Sequence, residues 1–243
     1  MNGHLYGIGV GPGDPDLITV KAVRVLHEVD LVLAAASTKN EDSLALEIAR
    51  PHLRPDTPVL RLGFPMSRDP HVLRQAWQDN ARLVLDHLYA GKNTAFLTLG
   101  DPLLYSTFAY VLRTVRQMDP DQPITVIPGI TSFQAAASAT QTVLAEGAQN
   151  LLILPGIREA DNLRTHLGYA DNAVVLKAYT NFSALRAALH ASPVHKHCVF
   201  ASRLGLADQM ITHDLDHAPE NPTYLSLLLL TALHPNPEEN SHA

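Results

Sequence analysis

The sequence predicts an α/β protein of two lobes, each with a central mostly parallel or mixed sheet flanked by helices. Short apolar runs alternate with amphipathic helical segments. Glycine-containing turns follow directly on several of those runs. A polar, proline-rich break, Asp119-Pro120-Asp121-Gln122-Pro123, falls near the middle of the 243 residues, and the alternation then begins again. Strands joined through helices lie parallel and are covered on both faces. The break sets the expected lobes at residues 1–118 and 119–243.

In the first lobe, Leu5 to Val10 reads as a strand ending in Gly11-Pro12-Gly13-Asp14-Pro15. Leu17, Val20, Val23 and Leu26 then recur at helical spacing. Leu31 to Ala36 is a second buried strand leading into Ser37-Thr38, Ser43 to Leu53 a helix and Pro58 to Leu62 a strand. Pro70 to Ala90 is the clearest helix: Leu73, Trp77, Ala81, Val84 and Leu88 line one face, and Gly91 stops it. Thr94 to Leu99 reads as a fully buried strand, followed by Gly100-Asp101-Pro102 and a helix from Thr107 to Met118.

In the second lobe, Ile124 to Ile127 is a strand, Pro128-Gly129 a turn, and Thr131 or Ser132 caps a helix through Thr140. Leu151 to Leu154 and Ala173 to Tyr179 are further strands. Asn181 precedes a helix carrying Phe182, Leu185 and Leu189. Val199 to Ser202 and Tyr224 to Leu230 close the lobe, and Pro235 to Ala243 reads as a disordered tail. The most apolar stretch, Leu225 to Leu233, lies between Pro222 and Pro235 and is about half the length of a membrane helix, so it reads as a buried strand.

Composition narrows the function classes. A net charge of -6 argues against nucleic acid as the main partner. One cysteine, Cys198, cannot form a disulfide within the chain, which fits a reducing compartment. It sits in an apolar run and reads as a core residue. The start of the chain lacks a basic segment followed by an apolar one, so the expected location is the cytoplasm. The thirteen histidines are scattered, without metal-ligand spacing, and no protein-held metal is expected.

Three turns carry the chemistry. The glycine loop Gly7 to Pro15 brings backbone close to a ligand at a helix start. A dinucleotide site is disfavoured, because the second strand ends without an acid to hold a ribose, and Pro12 removes a donor. The alternative is a tight turn packing strand against helix. Gly100-Asp101-Pro102 follows a buried strand, where open sheets bind ligands, and Tyr105, Ser106 and Thr107 add hydroxyls. Its alternative is a capping turn. Pro128-Gly129-Ile130-Thr131-Ser132 opens a helix start rich in small residues, which suits either close ligand approach or close packing.

In this order, with Leu17-Ile18-Thr19 after the first, the three turns resemble the tetrapyrrole methylase family, a class of S-adenosylmethionine-dependent methyltransferases, over residues 4 to 232. Within it, several stretches are similar to the branch that methylates C20 of precorrin-2 or cobalt-precorrin-2. These are Gly100 to Phe108, Phe64-Pro65-Met66-Ser67-Arg68-Asp69 with Ala76-Trp77, Ile130 to Phe133, and Tyr224-Leu225-Ser226-Leu227. Ala34-Ala35-Ala36 departs from relatives, which often carry a proline or a basic residue there.

The resemblance implies a cofactor held in the cleft between the lobes by Gly100, Asp101, Leu104, Ser106, Thr107, Thr131 and Ser132, with Leu154 and Leu227 contributing. It implies that Gly9, Gly11, Pro12 and Gly13 face the tetrapyrrole. Asp101 and Lys177 are the candidate catalytic residues, Asp101 orienting a ligand rather than acting as a base. A reduced tetrapyrrole is nucleophilic at its meso carbon, so positioning is the main task. Its carboxylates call for cationic partners. Arg61, Arg68, Lys177 and Arg203 are candidates, and Lys177 stands out because it falls in an apolar run, Val174 to Tyr179. Relatives are homodimers, which sets the expected assembly. The alternatives are methylation at another position or of another tetrapyrrole such as uroporphyrinogen III, and a non-catalytic ligand-binding α/β protein.

Overall fold

The computed structural model describes residues 2–36, 43–156, 165–191 and 197–232. Ser37-Thr38 and the stretch from Pro235 to Ala243 lie outside them. The chain divides into two compact units, Met1–Thr131 and Ser132–Ala243.

The first unit holds strands β1 (Leu5–Gly9), β2 (Leu31–Ala36), β3 (Val59–Gly63), β4 (Thr94–Thr98) and β5 (Ile124–Ile127). They form one parallel sheet in the order β3-β2-β4-β1-β5. Helices α1 (Val20–Glu28), α2 (Leu44–Ala49), α3 (Pro70–Tyr89) and α4 (Phe108–Met118) connect the strands. Side chains alternate between the faces of a strand, so the sheet supplies two cores. Ile8, Val32, Ala34 and Leu97 pack with Ala22 and Leu26 of α1 and Leu46 and Ile48 of α2. Leu5, Leu33 and Phe96 pack with Ala81, Val84 and Leu88 of α3 and Val111 and Val115 of α4. Local signals fix the helix starts: Thr19 Oγ1 accepts from Ala22 N at 3.2 Å, and Asp69 accepts from His71 N at 2.8 Å with Pro70 at the first position.

Several boundaries differ from the sequence reading. Between the glycine loop and α1, Pro15–Leu17 forms a short 3-10 turn, so Leu17 precedes the helix. The helix expected from Ser43 to Leu53 changes to a 3-10 turn at Arg50–His52, where Pro51 cannot donate. More consequential is the break at 119–123, which does not divide the units. Strand β5 pairs with β1, Leu5 opposite Ile124, and so completes the first sheet. The break itself is fastened to that sheet. Arg116 donates to the Pro120 and Gln122 carbonyls at 2.8 and 2.7 Å, and the buried Gln122 amide donates to Gly3 O at 2.7 Å. The division lies instead between Thr131 and Ser132.

The second unit contains α5 (Ser132–Thr140), β6 (Leu151–Leu154), β7 (Asn172–Leu176), α6 (Phe182–His190), β8 (His197–Ser202), β9 (Met210–Thr212) and β10 (Ser226–Thr231). The sheet order is β6-β7-β10-β8-β9, with β6 and β7 parallel and the other pairs antiparallel. β10, the apolar stretch of the sequence, is central and buried along its whole length. Each fully buried leucine there contributes about 1.5–3 kcal/mol. Cys198 lies in β8 against the core, and burial pushes its thiol up to about 12. The short β9 was not expected. Among the described residues no helix is long and apolar enough to cross a membrane.

Candidate functional site

The strand order sets β4, β1 and β5 side by side, so the loops beyond their carboxyl ends are neighbours. Those ends are where parallel sheets bind ligands. Val10 N donates to Thr98 O at 3.0 Å and Gly100 N to Gly11 O at 2.8 Å, which zips the first two loops together. Gly11 and Gly100 both adopt positive φ, 84° and 63°, a region open to glycine without Cβ strain. Gly9 and Gly129 are needed for a different reason. A Cβ on Gly9 would lie 2.7 Å from the Gly129 Cα, and one on Gly129 would lie 2.8 Å from the Gly9 Cα, with Gly100 O closer still to both. Three backbones therefore meet with no side chain between them.

Asp101 fastens two of these loops. Its Oδ1 accepts from Leu103 N at 2.8 Å, and its Oδ2 accepts from Gly129 N at 3.1 Å. The carboxylate thus organises backbone on the β4 and β5 loops. Ser106 is also engaged: its hydroxyl pairs with Thr98 Oγ1 at 2.8 Å and accepts from Phe108 N at 3.1 Å, capping α4. Thr107, the residue before α4, makes no capping bond through its side chain and is half-buried. Leu104 is half-buried, while Leu103 and Tyr105 are exposed. Tyr105 holds a positive φ of 51°, a costly conformation for a non-glycine residue. Thr131 ends the first unit and Ser132 opens α5, both half-buried. Gly11, Pro12 and Gly13 are buried. Arg61, on β3, and Arg68, beyond it, are exposed, and neither makes an ion pair among the described residues.

In the second unit, the register gathers another group of loops at one edge of the sheet. Leu154 lies opposite Val175, Leu176 opposite Leu227, and Ser202 opposite Ser226. Gly156, Lys177 and Arg203, the residues just beyond these strand ends, all have positive φ, at 120°, 53° and 52°. Lys177 is accordingly not a strand residue, and the argument from a charge inside an apolar strand does not hold. β7 ends at Leu176, and Lys177 is half-buried in a left-handed turn. Its carbonyl accepts from Thr180 N at 3.1 Å and Thr180 Oγ1 at 3.0 Å. Arg203 N donates to Leu225 O at 2.9 Å, and its guanidinium pairs with Asp208 at 2.5 Å, which lowers the Asp208 pKa. The Leu154 and Leu227 side chains are in the core, which leaves only their main chain for the ligand role expected of them.

Sequence reasoning did not single out Thr98, the Gly129 N–H, Tyr179 or the ring of Tyr224. The Thr98–Ser106 and Asp101–Gly129 pairs join separate segments, so no local pattern announces them. A cavity of about 260 Å³ lies elsewhere, between α3 and α4, where Trp77 stacks on Tyr110 at 4.3 Å. It includes none of the loops above. Among the described residues no group of His, Cys, Asp and Glu is arranged to hold a metal ion.

Residues 4–217 match the model of the Tetrapyrrole (Corrin/Porphyrin) Methylases. The chain belongs to the tetrapyrrole methylase family. It is 35% identical over 237 residues to "Cobalamin biosynthesis protein CobIJ" of Mycobacterium bovis, covering 94% of this chain but 46% of that protein. The chain thus spans about half the length of that relative. It is 36% identical to the cobalt-precorrin-2 C(20)-methyltransferase of Salmonella typhimurium, over 78% of each chain. It is 32% identical to the precorrin-2 C(20)-methyltransferase of a Sinorhizobium species, over 94% of this chain and 95% of that one. Family folds superpose along nearly the whole chain. A cobalt precorrin-4 methyltransferase matches with TM-score 0.68 at 23% identity, covering 94% of both chains. The Thermus thermophilus uroporphyrin-III C-methyltransferase complexed with S-adenosyl homocysteine matches with TM-score 0.67 at 21% identity, covering 94% of this chain and 92% of that one.

Proposed function

We propose that the chain is an S-adenosylmethionine-dependent C-methyltransferase acting at C20 of precorrin-2 or cobalt-precorrin-2, in cobalamin biosynthesis. The observation that carries this reading is the likeness to the Sinorhizobium precorrin-2 C(20)-methyltransferase along almost the full length of both chains. The Salmonella relative, named for the cobalt-loaded substrate, supports the same carbon.

The residues suit the cofactor. The β4 loop offers backbone beyond a parallel strand, its shape fixed by the positive φ of Gly100 and Tyr105 and by the Asp101 carboxylate. Gly100, Asp101, Leu104, Thr107, Thr131 and Ser132 would hold the cofactor, with main chain at Leu154 and Leu227. Thr107 brings a hydroxyl that caps no helix, whereas Ser106 holds the loop through Thr98. S-adenosylmethionine supplies a methyl group on a sulfonium, an electrophile toward carbon.

The protein's task is then alignment and exclusion of water. C20 of the reduced tetrapyrrole is enamine-like, so no strong base is needed before attack, and one proton leaves C20 afterwards. Lys177, and the exposed Arg68, balance substrate carboxylates. Asp101 acts by holding the β4 and β5 loops in register. The enzyme works as a homodimer in the cytoplasm. Light scattering that returned a single-chain mass would contradict the first part, and recovery with the membrane or exported fraction the second.

Calorimetry with S-adenosylhomocysteine, together with transfer of labelled methyl to enzymatically prepared precorrin-2, tests the reading. Saturable binding and incorporation are expected. Absence of both would leave a non-catalytic α/β protein as the better reading.

A further inference from the structure

β3 leaves the first sheet at Gly63, and α3 begins at Pro70. The arm between them, Phe64 to Asp69, is pinned at both ends. At the first end, Phe64 N donates to Ala36 O at 3.1 Å, which prolongs the pairing of β2 with β3. The Phe64 ring meets Phe96 edge-on, with 6.2 Å between centroids, and packs against the core under α3. At the second end, Asp69 N donates to Ser67 Oγ at 3.0 Å, and the Asp69 carboxylate accepts from His71 N at the start of α3. Pro65 and Pro70 each fix one more backbone angle.

Asn80 braces the first end from α3. It is buried beside Ala81 and Val84, in the stripe of α3 that faces the core. An amide in that position is costly unless it is hydrogen-bonded. Its Nδ2 donates to Gly63 O at 2.8 Å, the last carbonyl of β3 before the arm. Phe64 takes the core position, and Met66 is left 81% exposed. Arg68, on the same arm, is exposed and has no acidic partner among the described residues. The arm thus presents an apolar side chain and a free cation from a backbone that is already ordered, which lowers the cost of ordering on binding.

The sheet decides which ligand the arm meets. All five strands are parallel, so the arm lies at the same end of the sheet as the loops after β4 and β5. At about 4.8 Å per strand, the end of β3 is about 10 Å from that of β4 and about 19 Å from that of β5. A Cβ on Gly63 would meet nothing within 4 Å, and Ala36 opposite it carries only a methyl group, so little side chain fills that corner. Of the two ligands in the proposed reaction, the tetrapyrrole is the broad, flat polycarboxylate. A thioether packs well against conjugated rings, and a guanidinium pairs with carboxylate. We infer that Met66 contacts the face of the tetrapyrrole, and that Asn80 is a positioning residue which sets the Met66–Arg68 arm through Gly63. This rests on the methyltransferase reading for the identity of the ligand.

The test measures two affinities on each variant: precorrin-2 by direct anaerobic titration and S-adenosylhomocysteine by calorimetry, so that turnover is not required. Met66→Ala is expected to weaken tetrapyrrole binding about three- to tenfold, with cofactor affinity within about twofold and urea unfolding unchanged. Met66→Leu keeps the apolar bulk and should stay within about twofold for both ligands. Asn80→Ala should weaken tetrapyrrole binding about fivefold, again sparing the cofactor. The double variant separates positioning from mere stability. If Asn80 acts through the arm, the loss from Met66→Ala shrinks to about twofold or less once Asn80 is alanine. Fully multiplied losses in the double variant would overturn the positioning role. Unchanged tetrapyrrole affinity in Met66→Ala, with wild type binding both ligands, would overturn the contact and leave the methyltransferase reading standing. Wild-type protein that binds S-adenosylhomocysteine and not precorrin-2 would overturn the substrate reading and the arm with it.

Discussion

The Asp101 carboxylate accepts a hydrogen bond from the Gly129 N–H at 3.1 Å, across 28 positions of sequence. With its other oxygen on Leu103 N, it joins the loop after β4 to the loop after β5. Asp101→Ala removes both bonds and leaves backbone donors to find water. The expected cost is about 1–3 kcal/mol in urea unfolding, with the helical signal retained. S-adenosylhomocysteine affinity should fall at least tenfold, because the loop proposed to hold it loses its shape. Asp101→Asn keeps one acceptor and should lie between. Loss of binding with wholly unchanged stability would show that Asp101 touches the ligand and does not clasp the loops.

Gly9 and Gly129 leave no room for a methyl group, since it would meet backbone rather than a movable side chain. Gly9→Ala and Gly129→Ala should each lose more than about 2 kcal/mol in denaturant titration. A Cβ on Gly63, at the end of β3, would meet nothing within 4 Å. Gly63→Ala should be neutral or stabilising by about 0.5 kcal/mol. Equal effects at the three positions would refute the close packing of the loops.

Lys177 combines a charge with a left-handed backbone, and the two can be separated. Lys177→Gly removes the charge and suits the φ of 53°. It should be as stable as wild type, or more so by up to about 1 kcal/mol. Lys177→Ala keeps the backbone strain and should be no more stable than wild type. Both should raise KM for the tetrapyrrole several-fold more than they change the cofactor Kd. Equal effects on the two ligands would remove the carboxylate role.

Cys198 lies in β8, and burial holds its thiol at about 12, so almost no thiolate forms near neutral pH. Mass spectrometry after iodoacetamide treatment of the native protein at pH 8 should show no adduct, and one per chain after unfolding. Rapid labelling of the native form would place this cysteine among the reactive residues.

The strands were legible because fully buried runs such as Thr94 to Thr98 leave a continuous apolar signature, and α3 was legible because its apolar stripe is long. Assignment of β5 to a lobe failed for a physical reason. Which sheet a strand joins depends on long-range pairing, here Leu5 with Ile124, and a proline-rich connection looks the same within a unit as between two. β9 has three residues, too few for a pattern. The end of β7 was overrun because a lysine, not a glycine, makes the left-handed turn. At the site, the positions of the three loops could be read from glycines after strands. The Asp101–Gly129 clasp could not, since nothing near Asp101 in sequence points to its partner.

The central claim is methyl transfer to C20, and one product spectrum tests it most directly. The full chain is incubated with precorrin-2, metal-free or cobalt-loaded, and S-adenosylmethionine labelled with carbon-13 in the methyl group. Carbon NMR of the isolated product should show a single new methyl on C20, formed with an equivalent of S-adenosylhomocysteine. A labelled methyl on any other ring position, or S-adenosylmethionine recovered unchanged with both substrates while a known C20 methyltransferase turns over the same preparation, would contradict it.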